Sequence, residues 1–421
     1  MDSKIVVTGM GLVTPLGCGI DEIWQRLIDG KSGVGTINRF SVDDLPIKIA
    51  GLVPDHLKDE IAGLDHEAVL SRKERRKIDL FTLYALAAAE QALSQAGWRP
   101  TDEKDKMATA TVIATGIGGF PTITEAQHTL ETRGYKRISP FVAPAFLANL
   151  AAGNISIRYG FKGPIGCPVT ACAAGIQAIG DGMRLIRSGE AEIAIVGGTE
   201  ACVDPLSLAS FNALRALSRH NDTPEQASRP FDQNRDGFVM GEGAGVLVIE
   251  PLEHALKRGA TPLATLSGYG TSSDAYHITS GSEDGSGGAA AIRIALAKAN
   301  LAPEQIGYIN AHATSTPVGD QAEVAALRAV FADQLPDIPI SSTKSATGHL
   351  LGGAGGVESI FSILAVRSSI LPPTLNLDQP DEDFVDLNLI PNQAIEKKVE
   401  HALCNGLGFG GVNATLIVSA L

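Results

Sequence analysis

The sequence has little of three things: cysteine, basic charge and long apolar runs. Its 421 residues contain five cysteines, an odd number without close pairs, which argues against a disulfide framework and for a reducing compartment. The net charge of −13 disfavours nucleic acid as a partner, because phosphate binding needs basic surface. No apolar run reaches the roughly 18 residues of a membrane span, and Lys4 leads into a strand without a signal-like segment. These absences predict a cytoplasmic protein without a membrane span.

What the sequence does have is a long alternation of apolar strands and helices. The length allows two lobes with large cores, and 46 glycines with 44% hydrophobic residues suit a packed α/β protein. A Gly-Ala-Thr-Pro turn at 259–262 divides the chain into predicted halves, 1–260 and 261–421. Two charged, turn-rich stretches, roughly 40–80 and 118–145, are predicted insertions in the first half that build binding surface.

Cys172 stands where a short apolar strand turns into a helix. Downstream apolar residues recur at helical spacing and Gly189 supplies a stop, so the thiol is predicted to lie at the helix N-terminus. Unpaired N–H groups and the helix dipole stabilise a thiolate there, which predicts a lowered pKa for Cys172 and a nucleophilic role. The alternative is a buried, inert cysteine. That is our interpretation of the other four, Cys18, Cys167, Cys202 and Cys404.

Two histidines far along the chain share a setting that strengthens the case for Cys172. His312 and His349 each follow a predicted apolar strand, and the carboxyl ends of strands are where open α/β sheets carry ligand and catalytic groups. Each histidine alone would more often be a surface or core residue. Together with Cys172 they could also ligate zinc, but a fourth ligand and paired-cysteine spacing are missing.

Two glycine-rich stretches do not predict nucleotide binding. The stretch 8–15 lacks the third glycine of a dinucleotide fingerprint and has Pro15 in the turn. The stretch 348–356 lacks the Gly-Lys-Ser/Thr ending of a phosphate loop, so its glycines are better explained by close helix packing.

Five sequence blocks, in order and over nearly the whole length, carry a family resemblance. They are 5–11 (IVVTGMG), 164–175 around Cys172, 229–243 (RPFD and DGFVMGEG), the two histidine segments 310–317 and 342–349, and 408–411 (GFGG). In these blocks the chain resembles the β-ketoacyl-[acyl carrier protein] synthases of type II fatty-acid synthesis, in the thiolase superfamily. The resemblance implies a five-layer αβαβα sandwich of two similar halves.

The resemblance also implies roles for individual residues. Catalysis falls to Cys172, His312, His349 and Lys344. Backbone N–H groups of Cys172 and Phe409 form an oxyanion hole, with Phe409 also acting as a gate. Structural support comes from Glu358, Asp320 and Glu323. Substrate-binding positions are Thr314, Thr316, Ile117, Phe211 and Leu407, although turn and cap chemistry is an alternative role for Thr316 before Pro317.

The implied reaction is the decarboxylating condensation of an acyl-enzyme with malonyl-[acyl carrier protein]. Acyl and malonyl thioesters arrive on the phosphopantetheine arm of the carrier, so no cofactor of the chain's own is expected. The resemblance assigns carrier docking to a basic patch, and it implies a homodimer. The alternative for the patch is an ordinary solvated helix face. The basic patch consists of Lys73, Arg76, Lys77, Lys136, Arg137 and Arg215.

Related functions remain open at this point. A specialised long-chain or polyketide-type ketosynthase would keep the same thiol, whereas a non-catalytic chain-length partner subunit typically lacks the cysteine. Thiolases pair the thiol with one histidine and a second cysteine, which His312 and His349 do not match. The chain departs from the family at Leu407, where an aromatic residue is usual, and this puts the shape of the acyl pocket in doubt.

Overall fold

Ten strands form two five-stranded blocks of the same topology in a computed structural model, which describes residues 4–421. The other five described strands are one short strand paired with the first block and two separate two-stranded sheets. In chain order the strands are β1 (Ile5–Thr14), β2 (Gly17–Cys18), β3 (Val34–Thr36), β4 (Ile49–Gly51), β5 (Thr109–Ala114), β6 (Ile165–Gly166), β7 (Ile193–Glu200), β8 (Gly243–Pro251), β9 (Ala264–Ser273), β10 (Tyr308–Asn310), β11 (Ile340–Ser341), β12 (Ile370–Leu371), β13 (Ile395–Glu396), β14 (His401–Gly408) and β15 (Val412–Ser419).

The α-helices occupy the connections between strands and cover both sheet blocks. They are α1 (Ile20–Ile28), α2 (His66–Val69), α3 (Arg72–Arg75), α4 (Leu80–Ala96), α5 (Glu103–Met107), α6 (Phe120–Arg133), α7 (Val142–Phe146), α8 (Leu150–Tyr159), α9 (Ala174–Arg187), α10 (Pro205–Ala213), α11 (Leu252–Lys257), α12 (Ser286–Ala299), α13 (Pro317–Phe331), α14 (Lys344–Thr347) and α15 (Ala354–Ser368). Within residues 4–421, none of them has the length and apolar character that crossing a bilayer requires.

The strand order is duplicated although the sequence shows no repeat. The first block runs β6-β5-β7-β8-β1 and the second runs β11-β10-β14-β15-β9. In each block the first two neighbour pairs are parallel and the next two are antiparallel. Two residue pairs between β1 and β9 join the blocks edge to edge. The predicted division at 260 lies in the loop between α11 and β9.

Helices arrange these blocks into five layers. Helix α4 covers the outer face of the first block, and α12, backed by α13, covers the second. Helices α9 and α15 lie between the blocks and contact strands of both. The αβαβα sandwich expected from the sequence is therefore confirmed. The two central helices approach at backbone distance, since a Cβ on Gly175 would lie 2.7 Å from the amide nitrogen of Gly356.

Each block leads into its central helix through a short 3₁₀ turn. The turn Ala171–Ala173 precedes α9, and the turn Leu351–Gly353 precedes α15. The first residue of each turn has a left-handed backbone, with φ of 49° at Ala171 and 46° at Leu351. Residues with a Cβ rarely adopt this conformation, so the fold holds strained backbone at the entrance to both central helices.

The two predicted insertions of the first half form local structure on its surface. The first contains β4, α2 and α3, and the second contains α6, a 3₁₀ turn at Tyr135–Arg137 and most of α7. Helix α6 buries no residue completely, and neither do α2 and α3. These three helices therefore lie on the surface of the sandwich, whereas β4 and the residues around it contribute Ile47, Ile49, Val53 and Leu64 to the core.

Candidate active site

A cavity of about 510 Å³ opens beside the N-terminus of α9. Cys172 of the first block and His312 and His349 of the second line it together. The sulfur and one ring nitrogen from each histidine all lie within 4.8 Å of one another. The two imidazoles meet edge to face, with centroids 5.3 Å apart. The structure thus brings together the three side chains that the sequence singled out.

A direct contact joins the thiol to one imidazole. The Nε2 atom of His349 lies 2.9 Å from the Sγ atom of Cys172. Within residues 4–421, the buried Nδ1 atoms of both His349 and His312 have no hydrogen-bond partner. A proton on Nδ1 would be an unsatisfied buried donor, which is rarer than an unsatisfied acceptor. We therefore place the proton of both rings on Nε2, so that His349 donates to the sulfur.

The ionisation of the thiol differs from the sequence expectation. Burial raises the pKa of Cys172 to about 12, although the positive charge of Lys344 acts to lower it. The predicted lowering was wrong, because desolvation outweighs the helix terminus and the nearby cation. Burial, and then the charge of Lys344, holds the pKa of both His312 and His349 well below the ordinary value. The resting site therefore contains a neutral thiol and two neutral imidazoles.

The same geometry argues against a zinc ion at this position. Zinc ligands at about 2.0–2.3 Å in tetrahedral geometry would stand about 3.5 Å apart. The 2.9 Å between Sγ of Cys172 and Nε2 of His349 is instead a hydrogen-bond distance. Among the described residues, no carboxylate joins the three atoms as a fourth ligand.

Two buried acidic residues hold the segment that carries His312. Glu323 accepts hydrogen bonds from the backbone N–H groups of His312 and Ala313, at 2.8 and 2.6 Å. Asp320 accepts from the backbone N–H groups of Ser315 and Phe231. Burial raises the pKa of Asp320 to about 7, and it also raises the pKa of Glu323. Both carboxylates thus fix the backbone that carries His312.

Lys344 and Glu358 form an ion pair inside the protein. The Nζ of Lys344 lies 2.5 Å from Oε1 of Glu358, and their side chains are 1% and 4% exposed. Burial raises the pKa of Glu358 to about 7, while the charge of Lys344 lowers it. Lys344 does not line the cavity, but its charge lowers the pKa of Cys172 and of both histidines. Its position suits electrostatic support better than contact with substrate.

The hydroxyls of Thr314 and Thr316 lie 3.1 Å apart on the cavity wall. Thr316 occupies the N-cap position of α13, but its side chain makes no capping hydrogen bond. The capping hydrogen bond considered for it is therefore absent, and the side-chain partner of its hydroxyl is Thr314. The remaining predicted substrate-binding and gate residues also line the cavity; they are Ile117, Phe211, Leu407 and Phe409.

Glycine lets the gate segment approach the nucleophile. A Cβ on Gly408, the residue before Phe409, would lie 3.3 Å from the backbone nitrogen of Cys172 and 2.8 Å from the carbonyl oxygen of Thr170. A larger residue would push this strand away. The segments that carry the two predicted oxyanion-hole nitrogens, those of Cys172 and Phe409, are therefore in contact.

Two residues were given no role in the sequence analysis but contribute to the site. The ring of Phe238 contacts His349 edge to face at 5.4 Å and Phe211 at 5.5 Å, so it holds the imidazole from one side. Glu200 is completely buried and accepts hydrogen bonds from the backbone N–H groups of Gly116, which lines the cavity, and of Gly352, three residues after His349. Phe238 lay within a recognised block, whereas no local signal distinguished Glu200.

The basic patch divides into two locations. The segment after Ser71 and the turn at 135–137 lie on the two insertions, and Lys77 connects them by placing Nζ 5.5 Å from the ring centre of Phe141. Arg215 instead lines the active-site cavity. All members are exposed except Lys77, which is half-buried; the exposed ones are Lys73, Arg76, Lys136, Arg137 and Arg215.

A two-block αβαβα fold whose cavity holds one thiol and two imidazoles is the arrangement of a thiolase-like condensing enzyme. Family models agree: the β-ketoacyl synthase N-terminal domain matches residues 2–255, and the C-terminal domain matches residues 263–378. The chain belongs to the β-ketoacyl synthase family.

Individual relatives resemble the chain over its full length. The 3-oxoacyl-[acyl-carrier-protein] synthase 2 of Rhizobium meliloti (strain 1021) is 49% identical over 417 residues, which cover 99% of this chain and 98% of that protein. A β-ketoacyl synthase from Burkholderia phymatum STM815 superposes with a TM-score of 0.90 at 33% identity, covering 100% of both chains. A type II polyketide ketosynthase, solved with its acyl-carrier protein and a bound hexaketide, superposes with a TM-score of 0.88 at 34% sequence identity. The superposition covers 100% of this chain and 99% of that one.

Proposed function

We propose that this chain is a 3-oxoacyl-[acyl carrier protein] synthase that elongates fatty acyl chains. The observation that carries the proposal is the 2.9 Å contact between Cys172 and His349, with His312 beside them at one cavity. Relatives that carry this name match the chain at 42–49% identity over nearly its full length. The enzyme is an acyltransferase.

In the first half-reaction, the sulfur of Cys172 attacks the carbonyl of an acyl thioester held on the carrier. A carbon–sulfur bond forms to Cys172, the bond to the carrier sulfur breaks, and the thiol proton leaves with the carrier thiol. The N–H of His349 and the helix N-terminus stabilise negative charge on the Cys172 sulfur as the proton departs. Because burial keeps the resting thiol neutral, this stabilisation is needed during reaction rather than before it.

In the second half-reaction, malonyl-carrier loses carbon dioxide and leaves an enolate at the same site. The Nε2–H groups of neutral His312 and His349 donate to its oxygen and lower the barrier by preorganised electrostatics. The carbanion then attacks the acyl carbonyl on Cys172, and 3-oxoacyl-carrier leaves as the Cys172 thiolate departs and takes up a proton. Backbone N–H groups of Cys172 and Phe409 serve the oxyanion of this step.

Acyl carrier protein is the proposed partner, and its phosphopantetheine arm enters as part of the substrate. No cofactor of the enzyme's own is required by this chemistry. The hydroxyls of Thr314 and Thr316 suit the amides of such an arm. The basic patch contrasts with the net charge of −13 and would attract an acidic carrier. A cytoplasmic location stays a prediction.

A homodimer is also proposed, and exposed apolar surface on the first block supports it. Strand β6 is the free edge of that block, and its Ile165 is 54% exposed. Ile157 on α8 and Leu130 on α6 are 79% and 43% exposed. Edges and apolar patches of this kind are normally covered by a partner.

Cys172→Ala tests the proposal, with Cys167→Ala as the matched control on the same loop. Each purified protein is incubated with acyl-carrier, and its intact mass is measured before malonyl-carrier is added and the products are analysed. We expect an acyl adduct and 3-oxoacyl-carrier from the wild type and Cys167→Ala, and neither from Cys172→Ala. An adduct that persists in folded Cys172→Ala would contradict the assignment.

A further inference from the structure

Glu200 is a fully buried carboxylate at the end of β7 that the proposed reaction does not use. Its Oε1 atom accepts hydrogen bonds from the hydroxyl of Thr115 at 2.8 Å and from the N–H of Ile117 at 3.4 Å. Its Oε2 atom accepts from the N–H groups of Gly116 at 2.6 Å and Gly352 at 3.0 Å. One side chain therefore binds two separate loops through four donors.

The two loops belong to different parts of the active site. The loop of Thr115–Ile117 follows β5 and presents Ile117 to the cavity. The second loop follows His349 and presents Leu351 to the same cavity. Glu200 therefore links the wall of the acyl pocket to the segment that carries a histidine.

The two loops touch through their backbones, at Gly116 and Gly352. A Cβ on Gly352 would lie 2.1 Å from the amide nitrogen of Gly116, so no larger residue fits there. The two N–H groups bonded to Oε2 of Glu200 come from these same glycines, and a buried N–H without an acceptor is costly.

Strain beside this contact also requires a restraint. Leu351 has φ of 46°, a conformation that persists only where surrounding structure holds it. The hydrogen bond from Gly352 to Glu200 fixes the next residue. Among the hydrogen bonds that Glu200 makes, this one is the link to the second loop, because the other three go to Thr115–Ile117.

We infer that Glu200 is a positioning residue that holds Ile117 in the acyl pocket against the His349 segment and thereby sets acyl-chain discrimination. The inference rests on the proposed condensing function. While the carboxylate is ionised, Ile117 is held toward the cavity and restricts long chains. When the carboxylate is neutralised, the loop relaxes and longer chains are accepted more readily.

Ionisation of Glu200 supplies a readout that a purely structural role would lack. Burial raises its pKa to about 7, although hydrogen bonds from Thr115, Gly116, Gly352 and Ile117 favour the charged form. Protonation puts a hydrogen on an oxygen that already faces two donors. The discrimination should therefore be strong above pH 7 and weaken as the pH falls below it.

The titratable groups near Glu200 change little over this pH range. The charge of Glu200 acts on three thiols, those of Cys167 and Cys172 on the nucleophile loop and Cys202 beyond its own strand. Burial raises the pKa of Cys167 to about 11 and that of Cys172 to about 12, and it raises the pKa of Cys202 well above its ordinary value. On the other loop, His349 stays neutral because burial and the charge of Lys344 lower its pKa. Asp320 and Glu358 also have a pKa of about 7, but they bond Phe231, Ser315 and Lys344 rather than these two loops. Glu200→Gln therefore separates the titration of Glu200 from theirs.

The test compares Glu200→Gln with Glu242→Gln. Glu242 is equally buried but bonds Arg39, Tyr84 and the N–H of Val53, and it does not line the cavity. For each protein, kcat/KM is measured with a long and a short acyl-carrier between pH 6 and 8. We expect Glu200→Gln to raise the long-to-short ratio about three- to tenfold at pH 8, the effect of one lost hydrogen bond.

The pH profile separates positioning from general damage. The wild-type ratio should rise toward the Glu200→Gln value as the pH falls through 7, while the variant's ratio stays constant and Glu242→Gln follows the wild type. An unchanged ratio in folded Glu200→Gln, or the same change in Glu242→Gln, would overturn the inference.

A second pair of variants keeps the test decisive if Glu200→Gln does not fold. Thr115→Val removes the hydroxyl that donates to Glu200 and accepts from the N–H of Gly118, with little change of shape, whereas Thr115→Ser keeps both hydrogen bonds. We expect the valine variant to shift the ratio and the serine variant not to; equal ratios in both would reject the inference. A wild-type enzyme that makes no 3-oxoacyl-carrier would instead contradict the proposed function.

Discussion

Replacing Lys344 by methionine would leave Glu358 as an unpaired acid in the interior. The two charged atoms lie 2.5 Å apart and almost no water reaches them. Breaking a buried pair by removing one partner costs roughly 3–5 kcal/mol, because the remaining charge is uncompensated. At about 2.1 cal/mol/K of unfolding entropy per residue, the 421 residues give about 0.9 kcal/mol/K. The melting temperature should therefore fall by about 3–6 °C.

The loss of stability in Lys344→Met should be smaller at low pH than at high pH. Burial raises the pKa of Glu358 above its unfolded value, and removing Lys344 raises it further because the cation lowers it. A carboxyl whose folded pKa is raised contributes stability at low pH and loses it as the pH rises. We thus expect Lys344→Met to lower the melting temperature less at pH 6 than at pH 8, measured by differential scanning fluorimetry.

The double variant Lys344→Met/Glu358→Gln is the control for charge. Removing both charges should recover most of the melting temperature, because the neutral pair needs no compensation. Alkylation of Cys172 should also slow in Lys344→Met, since the lysine charge lowers the pKa of that thiol. Equal melting temperatures for the wild type and Lys344→Met, or a double variant less stable than the single one, would refute the reasoning.

Three further predictions concern the reaction. His312→Ala and His349→Ala should each slow malonyl decarboxylation by about 10²–10³ but acylation of Cys172 less, as separate assays of carbon dioxide release and acyl-enzyme will test; equal losses would indicate a structural role. Changing Arg76 and Lys77 together to Glu should raise KM for carrier-bound substrate and weaken its salt dependence, while pantetheine-linked substrate reacts nearly as before; unchanged carrier kinetics would make the cluster a solvated face. Ile117→Phe should lower kcat/KM for long acyl-carriers with little effect on short ones, because added volume in a packed pocket is costly; a uniform fall at every length would mean general destabilisation.

Local patterns were sufficient for the elements that depend on neighbouring residues. The apolar spacing after Cys172 predicts a helix, and α9 runs from Ala174 to Arg187 with Ile176, Met183 and Ile186 buried. Gly189, with φ of 78°, follows its end. Periodicity and stop signals act within a few residues, so the sequence displays them directly.

Properties set by distant parts of the chain were not accessible in the same way. The direction of the Cys172 pKa depends on how completely the folded chain removes water from the thiol, and no local motif reports that. Glu200 looks like an ordinary residue at a strand end, and its donors come from two loops far apart in sequence. The duplicated strand order is likewise set by pairing between remote segments, which the sequence does not repeat.

The division of the site between the two blocks has a consequence during protein synthesis. Cys172 leaves the ribosome before His312 and His349 have been made, and before α15 exists to pack against α9. Because folding of nascent chains begins from the N-terminal part, the thiol passes through a period without the burial that raises its pKa. A more accessible thiol ionises and oxidises more readily. We therefore expect the completed second block to make the sulfur less accessible to oxidants as well as to supply its histidines.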